Sequence, residues 1–235
     1  DGVKGFYYYD AGWKPVAPAA TTFANRNLSS LLAPTAVNVD LLPSPTNSRN
    51  LGSAALGWKE LFVTGEIWLD ATPFLRNKGS FNAFGGAYSG NANNRGAYNT
   101  GFGHNATYRN STGIRNSGVG AFALHNNLAS ENSALGAYAL FSNSTAWDNT
   151  AVGAYSLNKN TIGYYNTAIG AQALYNNTTA YHNVAVGYAA LYQNTTGANN
   201  TAVGNYALSL NQNGSRNVAM GYFSMYANTT GTSNT

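Results

Sequence analysis

The chain has 235 residues, no cysteine, only 9% charged side chains and a net charge of +4. That length allows one or two domains, and the lack of cysteine excludes a disulfide framework or a thiolate metal site. Such sparse charge is unusual for a cytosolic enzyme and ordinary for a secreted fibrous protein; no Lys/Arg cluster marks a nucleic-acid surface, and no run of about 18 apolar residues marks a transmembrane helix.

No signal peptide opens the chain, and Asp1 reads as a mature or truncated start. Phe6 to Tyr9 and Trp13 to Val16 flank Asp10-Ala11-Gly12, a hairpin signal of two β-prone runs about a short turn. Residues 20–50 are rich in Pro, Ser and Asn; Pro34, Pro43 and Pro45 argue for an extended connector. Residues 51–70 read LGSAALGWKELFVTGEIWLD. Alternation of Leu61 and Val63, then of Ile67 and Leu69, predicts a hairpin about Thr64-Gly65-Glu66. Residues 71–98 form a Gly-rich transition into irregular first coils. The domains expected are 1–50 (hairpin and connector), 51–80 (connector with β-hairpin) and 81–235 (repeats).

The repeat dominates everything after that. Gly153, Gly170, Gly187, Gly204 and Gly221 recur every 17 residues; Gly136, Gly120 and Gly103 extend the series backwards with steps of 17, 16 and 17. Gly85 fits as a degenerate ninth member. A fixed period this short means a solenoid, and it leaves no room for the two helices of known helical repeats. Short strands with turns are expected, about 4.8 Å apart from coil to coil, so that eight coils make a rod of about 40 Å.

An aliphatic column precedes the glycine (Val119, Leu135, Val152, Ile169, Val186, Val203, Met220). Another lies four residues after it (Leu124, Leu140, Leu157, Leu174, Leu191, Leu208, Met225), with a small-residue column at three. Both aliphatic columns are expected to become continuous apolar columns as coils stack. Asparagine forms two more columns, four before the glycine (Asn99 to Asn217) and seven after it (Asn110 to Asn228). They read as coil corners, since Asn tolerates left-handed turns, and stacked amides can bond from coil to coil. Asn234-Thr235 opens a further repeat, so the shaft is expected to continue beyond the chain end.

Glu131 and Asp148 share a column in adjacent coils, about 5 Å apart by strand spacing, close to the separation in a retaining glycosidase. The same column also holds Tyr98, Arg115, Tyr165, His182, Asn199 and Arg216. That mixture reads as a solvated corner, with Arg115 offsetting Glu131. His104, His125 and His182 fall in different columns and read as surface histidines rather than as a metal site. Thr178-Thr179, Thr195-Thr196 and Thr229-Thr230 read as turns; an outward threonine array is interrupted at Thr161-Ile162 and Gln212-Asn213. The aromatics carry the strongest signal. Tyr138, Tyr155 and Tyr206 lie two after the glycine, and Tyr175, Tyr192 and Tyr226 five after it. These six are the candidate site residues, as packing between chains, the favoured reading, or as a platform for sugars.

The segment LGSAALGWKELFVTGEIWLD resembles the connector of phage-type tail fibres, and the Asn166-Thr167-Ala168-Ile169-Gly170 core is similar to the head repeat of trimeric autotransporter adhesins. The resemblance covers roughly residues 51–235 and implies a fibrous homotrimer, of a type often made with a C-terminal endosialidase-type chaperone. Adhesin heads use a shorter repeat, so coil shape does not carry over. The reading is an all-β parallel β-solenoid or β-roll that serves as a structural extracellular, cell-surface or virion fibre. It is not an enzyme, takes no cofactor or metal, inserts in no membrane and partners itself, with a cell-surface glycan or protein as receptor. The alternatives are a carbohydrate-binding module and, behind it, a glycan-cleaving tailspike.

Overall fold

The computed structural model describes residues 7–9, 13–15, 67–69, 72–93 and 95–235. In the N-terminal unit, β1 (Tyr7–Tyr9) pairs antiparallel with β2 (Trp13–Pro15), the hairpin read from the sequence. The 20–50 connector and Leu61–Val63 lie outside the described residues. β3 (Ile67–Leu69) pairs antiparallel with β4 (Thr72–Arg76).

The second unit, Leu61–Thr235, is a parallel β-solenoid. Nine three-residue strands stack in sequence order: β5 (Ala83–Gly85), β6 (Thr100–Phe102), β7 (Ser117–Val119), β8 (Ser133–Leu135), β9 (Thr150–Val152), β10 (Thr167–Ile169), β11 (Val184–Val186), β12 (Thr201–Val203) and β13 (Val218–Met220). With β3 and β4 they make an eleven-stranded sheet, in which β4 runs antiparallel along β5 and covers the edge of the first coil. The register pairs Gly85 with Phe102. The first turn glycine is therefore Gly86, 17 before Gly103, and not Gly85: the periodicity is more regular than the sequence reading allowed.

Three residues of strand per coil are too few to hold a stack, and the rest of the coil is hydrogen-bonded as well. Within each turn, positive φ alternates with ordinary φ, as at Gln172 (φ 60) and Leu174 (φ 52). The alternation rotates successive peptides, so Gln172 N–H donates to Ala154 in the coil before and Leu174 N–H to Ala190 in the coil after. A bulky residue at positive φ costs about 1 kcal/mol or more, which the two-way bonding and the burial of each leucine offset. Gly170 sits at φ +136, and a Cβ there would lie 2.4 Å from the Gly187 carbonyl oxygen. Glycine is required at that corner for both reasons.

The core is a narrow column. Its apolar part is the strand's middle alanine (Ala151, Ala168, Ala185, Ala202), the small residue and the leucine of the turn, all fully buried. In the first coil the volumes are exchanged: Phe84 fills the strand position, and Gly90 replaces the leucine because a Cβ there would strike the Phe84 ring. The aliphatic residues before the glycine are not core. In a strand neighbours face opposite ways, so with alanine inside they point out: Leu135 is 53% exposed and Met220 71%. From the coil of Gly120 to that of Gly204 each coil buries one large apolar side chain, not two, and in the coil of Gly103 Thr107 takes the leucine's place.

The asparagines, expected at corners, lie inside, and those from Asn99 to Asn217 and from Asn110 to Asn211 are buried. In the first column each Oδ1 accepts the backbone N–H of the next coil's asparagine at 2.7–3.1 Å, unbroken from Asn82 to Asn234. Each Nδ2 caps a carbonyl of its own coil, as Asn166 caps Ala180. In the second column Nδ2 donates to the preceding Oδ1 from Asn143 to Asn228. At the outer corner, the hydroxyls of Ser144, Thr161, Thr178 and Thr195 each donate to a carbonyl of the next coil, which gives these threonines a turn role.

Removing the Asn166 amide strands the buried Asn183 N–H and takes one of two donors from the Ala180 carbonyl, which Asn177 Nδ2 still reaches. Asn166→Ala is therefore expected to cost about 1–3 kcal/mol, and Gly170→Ala a similar amount. Outward Thr167→Ala should stay within about 0.5 kcal/mol. Urea unfolding midpoints check all three; an Asn166→Ala midpoint equal to that of Thr167→Ala would show that the ladder adds nothing.

Candidate functional site

Two aromatic columns run up the turn side of the solenoid. The residue two after each glycine has positive φ (Tyr138 59°, Tyr155 60°, Tyr206 60°) and projects outward, as does the residue five after it. Between them the small residue and the leucine point inward to the strand's middle residue. The coil spacing sets ring against ring: Phe122 on Tyr138 at 4.9 Å, Tyr138 on Tyr155 at 5.1 Å and 1° between planes, and Tyr175 on Tyr192 at 5.3 Å. Tyr155 and Tyr175 meet across the two columns at 6.4 Å, and Tyr206 meets Phe223 at 4.8 Å and Tyr226 at 6.4 Å. Four of the six candidate tyrosines thus form one stack, and Tyr206 with Tyr226 forms another.

The gap between the stacks comes from three residues. Gln172 and Ala189 stand where the first column would carry rings, and Ser209 where the second would. A groove of about 230 Å³ opens there, lined by Tyr188, Tyr192, Tyr206 and Tyr226 with Gln172, Gln193 and Ser209. Tyr188 edges onto Tyr206 at 5.2 Å, and its hydroxyl donates to Gln172 Oε1 at 3.2 Å.

A third column escaped the sequence reading. Trp147, Tyr164 and Tyr181 stack six before the glycine at 5.2 Å, nearly coplanar, and Tyr165 stacks on His182 beside them. The signal was present as the recurrence 147, 164, 181.

The histidines stay apart, as their columns require. His125 is not a plain surface residue: it is sandwiched between Tyr108 and Phe141 at 5.1 and 5.0 Å. Burial there pushes its imidazole below the ordinary histidine range, against the bond to Asn126. Among the described residues no three His, Asp or Glu side chains group closely enough to hold a metal ion. Glu131 accepts from Arg115 Nη1 at 2.8 Å, both side chains being well exposed. Burial, and then the neighbouring Glu131, raise the Asp148 carboxyl above its usual value.

A raised folded pKa means that ionised Asp148 costs stability above that pKa, and that the cost fades as pH falls toward the unfolded value of 3.8. Asp148→Asn is expected to stabilise at neutral pH by under about 1 kcal/mol, the ceiling for exposed charge pairs. The gain should shrink on acidification, leaving a pH-independent part because Asn suits φ +53 at this position. Thermal midpoints at pH 7 and pH 3 check this; a gain constant with pH would remove the Glu131 interaction as its cause.

Comparison of the chain with protein-family models, curated proteins and solved structures found no significant match to any of the three.

Proposed function

We propose that the chain is the shaft of a homotrimeric fibre, of tail-fibre or adhesin type, on a virion or cell surface, and that it spaces or presents an attachment end. Its role is mechanical, not catalytic. The observation that carries the reading is the outer face of the stacked strands. Its rows are Ser, Thr or Val and Val, Leu, Ile or Met from β7 to β13, with no charged side chain in either. Leu135, Ile169, Val184, Val218 and Met220 are all more than one third exposed. An uncharged face with an exposed aliphatic row beside a row of Ser, Thr and Val supports an association surface. A second and third copy of the same chain fit it because the rows repeat at the coil spacing, so identical faces meet in register.

The reading moves the association surface from the tyrosines, favoured by sequence alone, to the strand face. Light scattering on the purified chain is expected to give about three times 24.8 kDa. Val186→Lys with Val203→Lys should reduce it to the single-chain mass while the far-UV spectrum stays the same. A wild-type chain of single mass would overturn the proposal.

A further inference from the structure

We infer that the groove at the interruption of the aromatic columns, around Ala189, binds an uncharged pyranose sugar. The inference does not depend on the trimer, whose proposed contacts lie on the strand face.

In the run from Phe122 to Tyr155 and between Tyr175 and Tyr192, successive rings lie face to face and cover one another. At Gln172, Ala189 and Ser209 that stacking is broken, and the neighbouring rings border open space. Two ring positions lapse in the first column, and the Tyr188 ring, edge-on to Tyr206, borders the space that remains. The floor is Ala189, which is 4% exposed, and the walls are Tyr192 and Tyr206. Tyrosine faces carry negative quadrupole density that attracts polarised C–H groups, and a pyranose presents a row of them on one face. The rim of the same sugar is hydroxyl, both donor and acceptor. Gln172, Gln193 and Ser209 supply both kinds of group.

The groove is also partly preorganised. Tyr188 is held by its hydroxyl on Gln172 Oε1, and its backbone N–H donates to Asn205 Oδ1 at 2.9 Å. Rigid tyrosines lose little side-chain freedom on binding. No lining residue is charged, which selects against uronic or sialic acids as the preferred occupant.

The test is a titration of the purified chain, by calorimetry and saturation-transfer NMR, with maltohexaose, cellohexaose, mannohexaose and a galactohexaose. Saturable binding to at least one is expected. Tyr192→Ala should weaken it about tenfold, the loss of one ring platform. Ala189→Tyr should abolish it by filling the groove. That variant keeps the fold, because Tyr155 and Tyr206 occupy the same column at the same positive φ, and an unchanged thermal midpoint confirms it. Tyr138→Ala, in the unbroken stack, should leave the affinity unchanged. Failure of all four probes to bind, or binding that survives Ala189→Tyr, overturns the inference. The native mass of these variants stays at the wild-type value whichever way the binding falls.

Discussion

The hydrogen bond from one asparagine amide to the next coil governs this molecule. A coil of 17 residues with a three-residue strand turns several backbone groups toward its own interior, where no water can reach them. Burying such a group without a partner costs about 1–3 kcal/mol, and each coil has at least two. The asparagine side chain answers both needs at once: its oxygen takes an N–H from the neighbouring coil, and its nitrogen caps a carbonyl of its own. This explains why the period does not drift. Moving one asparagine by a single residue would place its amide outside and open its ladder to the coils on both sides.

The same arrangement limits what else fits inside. With two amides, two small side chains and one leucine per coil, the interior has no space for a second large group, and Phe84 is admitted only where Gly90 and Gly101 make room. Apolar residues beyond that number must face out, and they do so in rows, because the stack copies each position at a fixed interval. Two distinct surfaces result. The strand side is uncharged, an aliphatic row beside one largely of serine and threonine, and the turn side is aromatic. Neither would exist on a globular fold of similar composition, where exposed hydrophobic residues scatter singly.

Most of the architecture was legible in the chain itself. Asn166, Asn183 and Asn200 at constant spacing announce a stack, and Gly170 and Gly187 announce its corners. The direction in which residues face was harder to read. Val152 and Ile169 look like core residues by hydrophobicity alone. The alanine one position before each already decides otherwise, since a strand cannot bury adjacent residues on one side. The asparagines were placed at corners because their turn preference is a local property, whereas their burial depends on partners a full coil away. The tyrosines were visible as columns, but the groove among them was not. It is made by what is missing at Gln172, Ala189 and Ser209, and a search for recurring residues passes over a position where the recurrence lapses.

The coil between Gly120 and Gly136 is one residue short, and the loss falls at the corner after Asn127, whose Nδ2 reaches Ala129 two residues on, where Asn160 reaches Gly163 three on. Directly below it, the Asn110 Oδ1 is buried with no partner, and the Arg115–Glu131 ion pair spans the same junction. In the language of crystals, this is a stacking fault in a one-dimensional lattice. Coupling in such a lattice runs only between neighbours, so the fault divides the shaft into two well-ordered blocks joined by a weaker plane. Under tension or shear the blocks keep their internal order and the plane yields first, which gives the solenoid a built-in site of compliance instead of uniform stiffness.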